Sequence, residues 1–401
     1  MSGEKILISG AGIGGLTAAL ALLRKGFEVQ VLEQASELKE VGAGLQLSPN
    51  VLRALFNLGL EQALKAVAVA PMGKEIRLWN TGQTWKLFDL GADCLERYGY
   101  PYFMIYRPDL HRVLYQAVEQ QQPGVIVLGA RVKSVTQEGD AVLATTEDGP
   151  SYRGQAMIAA DGVHSPIRNQ HFGEDRAEFS GCMAWRGVIP VDKLPAHLRR
   201  NAGVNWVGPG GHVINYTLHG GELMNFVGIL ERDDWTVESW TSEGSHEECH
   251  NDFAGWHDDI HSMIANIDIP FKWALMGRRP LEKWVKGRIA LLGDAAHPTL
   301  PFLAQGAGMA IEDGYVIADA LAQNGSVEKA LQAFERARLE RCTQIVEKST
   351  ENGRRFHNPE LANATGAAAY VSREWTPAKV KERYDWLFRY NVEQALMEKA
   401  A

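Results

Sequence analysis

Residues 4–9 (Glu-Lys-Ile-Leu-Ile-Ser) make a short apolar run with the pattern of a buried strand. A glycine cluster follows, and an apolar-rich helical pattern then runs from Leu16 to Arg24 until Gly26 stops it. Glu28 to Leu32 gives a second strand that ends on Glu33, so the chain opens with a strand–helix–strand unit. Further on, the pattern predicts a helix from Asn50 to Leu58 and a helix from Leu110 to Gln120. The stretch 73–100, rich in turn residues and aromatics, reads as strands and loops. Ala141 to Ile158 reads as a hairpin and strand turning at Asp148-Gly149.

The texture changes between 179 and 273, where tryptophans become frequent and alternating runs such as Gly211–Leu218 and Leu223–Glu231 predict strands. Residues 287–293 return to a buried strand. Helices are expected over Gly306–Ala322 and Ser326–Lys348, then an irregular tail from 355 with a final helix near 377–398. The expected class is α/β. A Rossmann-like domain with a parallel sheet spans 1–72, 101–178 and 274–345. It is interleaved with a smaller sheet-rich domain over 73–100 and 179–273, and a helical segment over 346–401 follows.

Composition narrows the class. At 401 residues, 45% hydrophobic and 22% charged, the chain has an ordinary globular balance. The formal net charge of −8 argues against nucleic acid or an anionic membrane as partner. The four cysteines, Cys94, Cys182, Cys249 and Cys342, have no zinc-site spacing, so no metal is expected. No run reaches the roughly 18 apolar residues of a membrane span, and the start lacks a signal core. A cytoplasmic location is the expectation.

Gly10-Ala11-Gly12-Ile13-Gly14-Gly15 fits GxGxxG between strand and helix. Gly10 permits the tight turn, Gly12 lets the backbone approach a pyrophosphate, and Gly15 lets the helix pack closely. The helix start offers N–H groups and a partial positive charge to phosphates. Glu33 stands where a carboxylate reaches adenosine ribose hydroxyls and would repel a 2′-phosphate. The motif by itself suits FAD or NAD.

Two more segments decide between them. Ala159-Ala160-Asp161-Gly162 continues through Arg168, and Gly293-Asp294-Ala295-Ala296-His297-Pro298 leads through Pro301 to Gln305-Gly306-Ala307-Gly308. With GxGxxG, these resemble the three fingerprints of the single-component FAD-dependent aromatic hydroxylases, from residue 5 to about 345. The resemblance implies that Gly10, Gly12, Gly15 and Glu33 hold the ADP half of FAD. It implies that Arg107 lies near the phosphates and ribityl chain, and that Asp161 serves FAD and the nicotinamide donor. Asp294 would bond the ribityl hydroxyls, and Gly306, Ala307 and Gly308 would open a helix facing the flavin N1–C2=O edge. His297 is read as structural. No second GxGxxG is visible, in keeping with a donor, NADH or NADPH, that binds transiently.

In Gly211–Tyr216, a period of two puts His212, Ile214 and Tyr216 on one face, presenting a base and a phenol together. The segment resembles the substrate strand of salicylate 1-hydroxylases and 3-hydroxybenzoate 6-hydroxylases, which implies that His212 deprotonates the substrate phenol and that Tyr216 orients it. Pro301 is expected to line the substrate site, and Gln46 to lie near the flavin ring as a substrate contact. Arg186 is a candidate partner for a substrate carboxylate.

The implied activity is NADH- and O2-dependent hydroxylation of a small phenolic acid through a flavin C4a-hydroperoxide, salicylate-like by a slight preference. 3-Hydroxybenzoate 6-hydroxylation and hydroxynicotinate hydroxylation are the alternatives, and family habit implies a homodimer. Two rivals differ in kind. One is a flavin-free NAD-dependent dehydrogenase, which leaves the Gly-Asp segment without a role. The other is a flavin-binding regulatory module that does not turn over.

Overall fold

The computed structural model describes residues 5–38, 42–174, 177–232, 234 and 242–397. Glu4 of the first expected strand and the last position of the expected final helix lie outside these residues.

The first sheet has six strands in the order Val285–Lys286, Ile289–Leu291, Ala156–Ala159, Ile6–Ser9, Val29–Leu32 and Ile126–Val127. Every neighbouring pair is parallel except the first. Ile6, Leu7, Ile8, Met157, Ile158 and Leu291 are almost wholly buried, the continuous apolar reading of strands covered on both faces. The helix Ile13–Arg24 packs on helices Arg107–Gln121 and Gly306–Gln323. Gly26, at φ 82°, ends it as expected.

The topology explains why three distant motifs meet. From Ile6–Ser9 the chain crosses to Val29–Leu32 on one side, while Ala156–Ala159 pairs on the other. A crevice opens at such a reversal, outside the carboxyl ends of the strands. Gly10, Glu33, Asp161 and Asp294 all follow the ends of strands in this one sheet.

The second sheet has seven strands: Phe271–Gly277, Glu178–Pro190, Leu223–Glu231, Gly211–Leu218, Gly203–Gly208, Gly73–Leu78 and Thr84–Asp89. Its outer face, with Trp185, Trp206 and Phe226, is covered by helices His246–Asp252 and Asp258–Ala265. Its inner face meets the first domain: Ala184, Ile229, Trp273 and Leu275 pack on Leu300 and Phe302. A two-stranded ribbon, Gly44–Leu47 with Phe103–Tyr106, lies at the junction.

Some elements differ from expectation. The stretch 73–100 contains a helix, Ala92–Tyr98, of which only Cys94 is buried, so no apolar period marks it. Helices His246–Asp252 and Asp258–Ala265 interrupt the sheet-rich region. The expected boundary at 345/346 falls inside one unbroken helix, Val327–Phe356. The tail is also more regular than expected, with helices Ala364–Glu374 and Pro377–Phe388. Phe356, Leu361, Tyr370 and Trp375 pack on Ile76, Leu78, Leu87 and Val207, which ties the tail to the edge of the second sheet.

Candidate active site

The glycine turn is built by close approach. A Cβ on Gly15 would stand 2.0 Å from the Gly10 carbonyl oxygen, and one on Gly10 would meet the Ala160 carbonyl oxygen at 2.5 Å. Gly10 also has φ 98°, a conformation that favours glycine. A Cβ on Gly12 would meet nothing within 4 Å, so that side of its backbone faces open space. Glu33 accepts from the Ala11 N–H at 2.6 Å and from the Ala35 N–H at 2.8 Å, which fixes its carboxylate at the turn. Gly10, Gly12, Glu33, Arg107, His111 and Asp161 share the wall of a cavity of about 430 Å³.

Asp161 carries the clearest polar signal in that cavity. Both carboxylate oxygens are buried and neither makes a well-formed hydrogen bond. Burial lifts its pKa to about 6, against the weaker pull of the Ser165 hydroxyl and Arg168. Asp294 is accessible to solvent, yet surrounded closely enough for burial to raise its pKa against the pull of His297 and Arg107. Both hold for a side chain on the wall of a cleft.

The helix Gly306–Gln323 starts without a side-chain cap, because Gln305 turns away to donate to Ser48 Oγ at 3.0 Å. The first-turn N–H groups of Gly306, Ala307 and Gly308 have no acceptor in their own helix, and the dipole favours negative charge there. A buried ion network holds this start in place. Asp313 accepts from the Gly293 N–H (3.1 Å), His297 (2.6 Å) and Arg338 (2.7 Å). Glu312 pairs with Arg338 and Arg341 and accepts from Asn50. Burial opposes charge at His297, but Cys342 and Asp313 outweigh it and hold its pKa well above the usual value. Burial likewise opposes ionisation of Asp313, but His297 and Arg338 bring it down to about 2. His297 is thus tied into this buried network through Asp313.

His212 is fully buried on the inner face of the second sheet, against Phe302 at 5.7 Å and Phe356 at 5.1 Å between ring centroids. Its Nδ1 lies 2.7 Å from His357 Nε2, while its own Nε2 has no hydrogen-bond partner among the described residues. Burial, then the proximity of His357, sets its pKa well below the usual value. Pro301, accessible, precedes Phe302 on the turn leading to the Gly306 helix.

Tyr216 shares the face but not the immediate surroundings of His212. Four residues of strand separate them, about 13 Å at ~3.3 Å per residue, with half-buried Ile214 between. A Cβ on Gly44 would meet the Tyr216 hydroxyl at 2.6 Å, and Gln46 reaches the same hydroxyl. Gln46 accepts from Tyr102 at 2.7 Å. Gln46 and Tyr216 thus belong to one end of this strand face, and His212 and Pro301 to the other.

Sequence reasoning missed a cation at the Tyr216 end. Lys74 Nζ lies 5.3 Å from the centre of the Tyr102 ring and 5.8 Å from that of Phe88, its stem running where Gly203 has no side chain. Burial lowers it to about 8. Arg186 is placed otherwise. It stacks on Phe271 and Trp273, and burial and the nearness of Arg107 lower it to about 10, which puts it on the cofactor side. His357 and Glu231 were also missed; nothing local in the sequence links them to His212.

Comparison with known proteins agrees with this geometry. Residues 4–349 match the family described as FAD binding domain. The chain is 40% identical over 389 residues to the 3-amino-4-hydroxybenzoate 2-monooxygenase PtnB3 of Streptomyces platensis, covering 97% of this chain and 96% of that one. It is 36% identical over 398 residues to a 3-hydroxybenzoate 6-hydroxylase of Polaromonas naphthalenivorans, covering 98% and 97%. A Klebsiella pneumoniae HpxO variant complexed with FAD superposes with a TM-score of 0.81 at 25% identity, covering 95% and 96%. The orphaned Asp161 carboxylate, the open approach to Gly12 and the uncapped helix start suit the hydroxyls, pyrophosphate and electron-rich ring of that cofactor. With three fingerprints converging in one crevice, the chain belongs to the FAD-binding family of flavoprotein monooxygenases that hydroxylate aromatic compounds.

Proposed function

We propose that the protein hydroxylates a small hydroxybenzoate, with NADH as electron donor and O2 as oxidant, and that His212 takes the phenol proton. The observation that carries this is the unpartnered Nε2 of a buried imidazole beside the Pro301–Phe302 turn, where the substrate sheet meets the cofactor domain. Bound FAD would supply the redox chemistry between NADH and O2 that makes oxygen electrophilic. The protein's part is to make the ring nucleophilic. A phenolate is richer in electrons at its ortho and para carbons than a phenol, and a neutral imidazole within hydrogen-bond reach removes that proton. The network around Asp313 and Glu312 holds the Gly306 helix start still, while Glu33, Arg107, Asp161 and Asp294 hold the cofactor's polar parts.

Lys74 is the proposed partner of the substrate carboxylate. Its ammonium makes no hydrogen bond or ion pair with any described residue, and it lies at the Tyr216 end of the strand face, away from the base. A benzoate laid over Ile214 would direct its phenol to His212 and its carboxylate to Lys74. Similarity to two hydroxybenzoate enzymes places 3-amino-4-hydroxybenzoate and 3-hydroxybenzoate ahead of salicylate as substrates to try.

The test is NADH consumption across hydroxybenzoates and hydroxypyridines, with the hydroxylated product identified by chromatography. A benzoate that stimulates NADH oxidation and yields stoichiometric product supports the reading; activity confined to hydroxypyridines overturns it. Lys74→Met is expected to raise KM for the acid about tenfold or more, the scale of a lost charged hydrogen bond, and to leave KM for the matching benzamide nearly unchanged. Equal effects on acid and amide would remove Lys74 from the carboxylate site.

A further inference from the structure

We propose that His357 and Glu231 complete the base. They fix which nitrogen of His212 is free to accept a proton, and they conduct that proton from the buried ring to solvent. This rests on the reading of His212 as the base and adds two positioning residues to it.

The argument begins at the surface. Glu231 ends the strand Leu223–Glu231 with its side chain about half exposed, where a carboxylate accepts hydrogen bonds. His357 Nδ1 lies 2.9 Å from Glu231 Oε1, so Nδ1 carries the proton and donates. A neutral imidazole has one N–H, which makes His357 Nε2 an acceptor. His212 Nδ1, 2.7 Å away, must then be the donor between the rings, leaving His212 Nε2 as a lone pair. That is the atom with no hydrogen-bond partner among the described residues. One surface carboxylate thus sets the tautomers of two buried rings and aims a base inward.

Burial gives the second half. His212 is fully buried and His357 nearly so, and desolvation disfavours an imidazolium on either ring. A proton taken from the substrate cannot rest on His212 and has to move on. The steps balance. The phenol O–H bond breaks as a proton joins His212 Nε2, and the Nδ1 proton of His212 passes to His357 Nε2. The Nδ1 proton of His357 passes to Glu231, which releases it to water. The reverse sequence returns a proton to the product oxygen and restores both tautomers.

Aromatic rings pack around the pair: Phe302 and Phe356 cover His212, and Phe302 reaches His357 edge-on. Cys182, opposite Glu231 across the sheet, stays a thiol because burial pushes it up to about 11. The wire is also held firmly. His357 caps the C-terminal end of the helix Val327–Phe356, its carbonyl accepts from the Gly210 N–H, and the Gly210 carbonyl accepts from the Glu231 N–H.

The test uses the FAD-loaded full-length enzyme with 3-amino-4-hydroxybenzoate and 3-hydroxybenzoate as probes. His357→Gln is the informative variant, because its amide can accept from His212 and donate to Glu231 yet cannot pass a proton. It is expected to bind FAD and probe within about threefold of wild type and to hydroxylate about 100-fold more slowly, within the range for a lost general base. In the ultraviolet difference spectrum its bound probe should remain phenol where the wild type holds phenolate. Glu231→Gln, at a half-exposed position where misfolding is not a concern, should slow hydroxylation about tenfold and move the rising limb of the rate to lower pH, because the carboxylate holds the His357 pKa up against burial. Wild-type rate and pH profile in both variants, with His212→Ala inactive, would overturn the relay and leave the base reading intact. A fully active His212→Ala would overturn the base reading itself.

Discussion

The cofactor cradle and the inner face of the second sheet recognise their ligands by different means. The cradle is mostly backbone: glycines that permit close approach, the ends of parallel strands and one uncapped helix start. Its side chains, Glu33, Asp161 and Asp294, each lie within three residues of a strand end. The sheet face is mostly side chain, and its parts come from residues as far apart as Lys74 and His357. Backbone chemistry is the same in every chain that makes the turn, so a cradle of this kind suits a constant cofactor. A face built from side chains changes with each substitution, which suits a substrate that varies among relatives.

The widest separation of the two regions should come from His212→Ala. We expect product formation to fall by about 10²–10⁴-fold, the usual worth of a general base, with FAD content and absorption unchanged. Rapid-quench product analysis beside a flavin spectrum checks both at once. Loss of flavin in this variant would mean that the two regions are not independent.

Asp313→Asn tests the structure they share. Asp313 joins the Gly-Asp turn, His297 and Arg338 in a wholly buried network. Removing its charge leaves His297 and Arg338 short of an anion, which costs about 3–5 kcal/mol at buried pairs. Denaturant unfolding should register that loss, together with weaker FAD retention. A change below about 1 kcal/mol would show that Glu312 alone balances Arg338.

The same contrast explains what could be read from the sequence. The Gly10–Gly15 turn, Gly26 and the strands Gly211–Leu218 and Leu223–Glu231 are local patterns with local causes, and they fall where the periodicity put them. Ser245 and Glu248 form a capping box, a readable start signal for the helix His246–Asp252 that the surrounding strand patterns obscured. Ala92–Tyr98 offered no such signal, since one buried residue defines no period. Among the candidate site residues, Glu33 and Asp161 announce themselves by position after a strand. Pairing His212 with His357 requires the fold, because 145 residues separate them and the second lies in a tail that looked irregular.

Asp161 gives the cradle a pH signature of its own. Its pKa in the folded, flavin-free protein is about 6, above the usual carboxylate value, so folding favours the protonated form. That stabilisation is fully present below about pH 4 and is lost as pH rises through about 6. Asp161→Asn keeps the shape and removes the titration. The flavin-free variant should be more stable than wild type at neutral pH, by at most about 3 kcal/mol for a two-unit shift, and equal to it near pH 4. Thermal unfolding of both proteins across that range would decide it, and a stability difference independent of pH would show that Asp161 is ionised throughout.

The smallest effects ask whether each glycine of the flavin-facing helix is needed for space. A Cβ on Gly308 would stand 2.7 Å from Val51 Cγ2, whereas on Gly306 the nearest atom is Thr299 Cγ2 at 3.6 Å, an ordinary contact. Gly308→Ala should therefore cost about 1–3 kcal/mol through overpacking, less up to about 1 kcal/mol returned by the better helix propensity of alanine. Gly306→Ala has no clash to offset that gain and should change stability by a few tenths of a kcal/mol in either direction. Both residues contribute only their N–H to the cleft, and alanine keeps the N–H. Flavin affinity should then follow stability, falling in Gly308→Ala and holding in Gly306→Ala. If Gly306→Ala alone loses flavin, the limit at that position is set by the ring that must come close to it, and the cradle is selective for more than backbone.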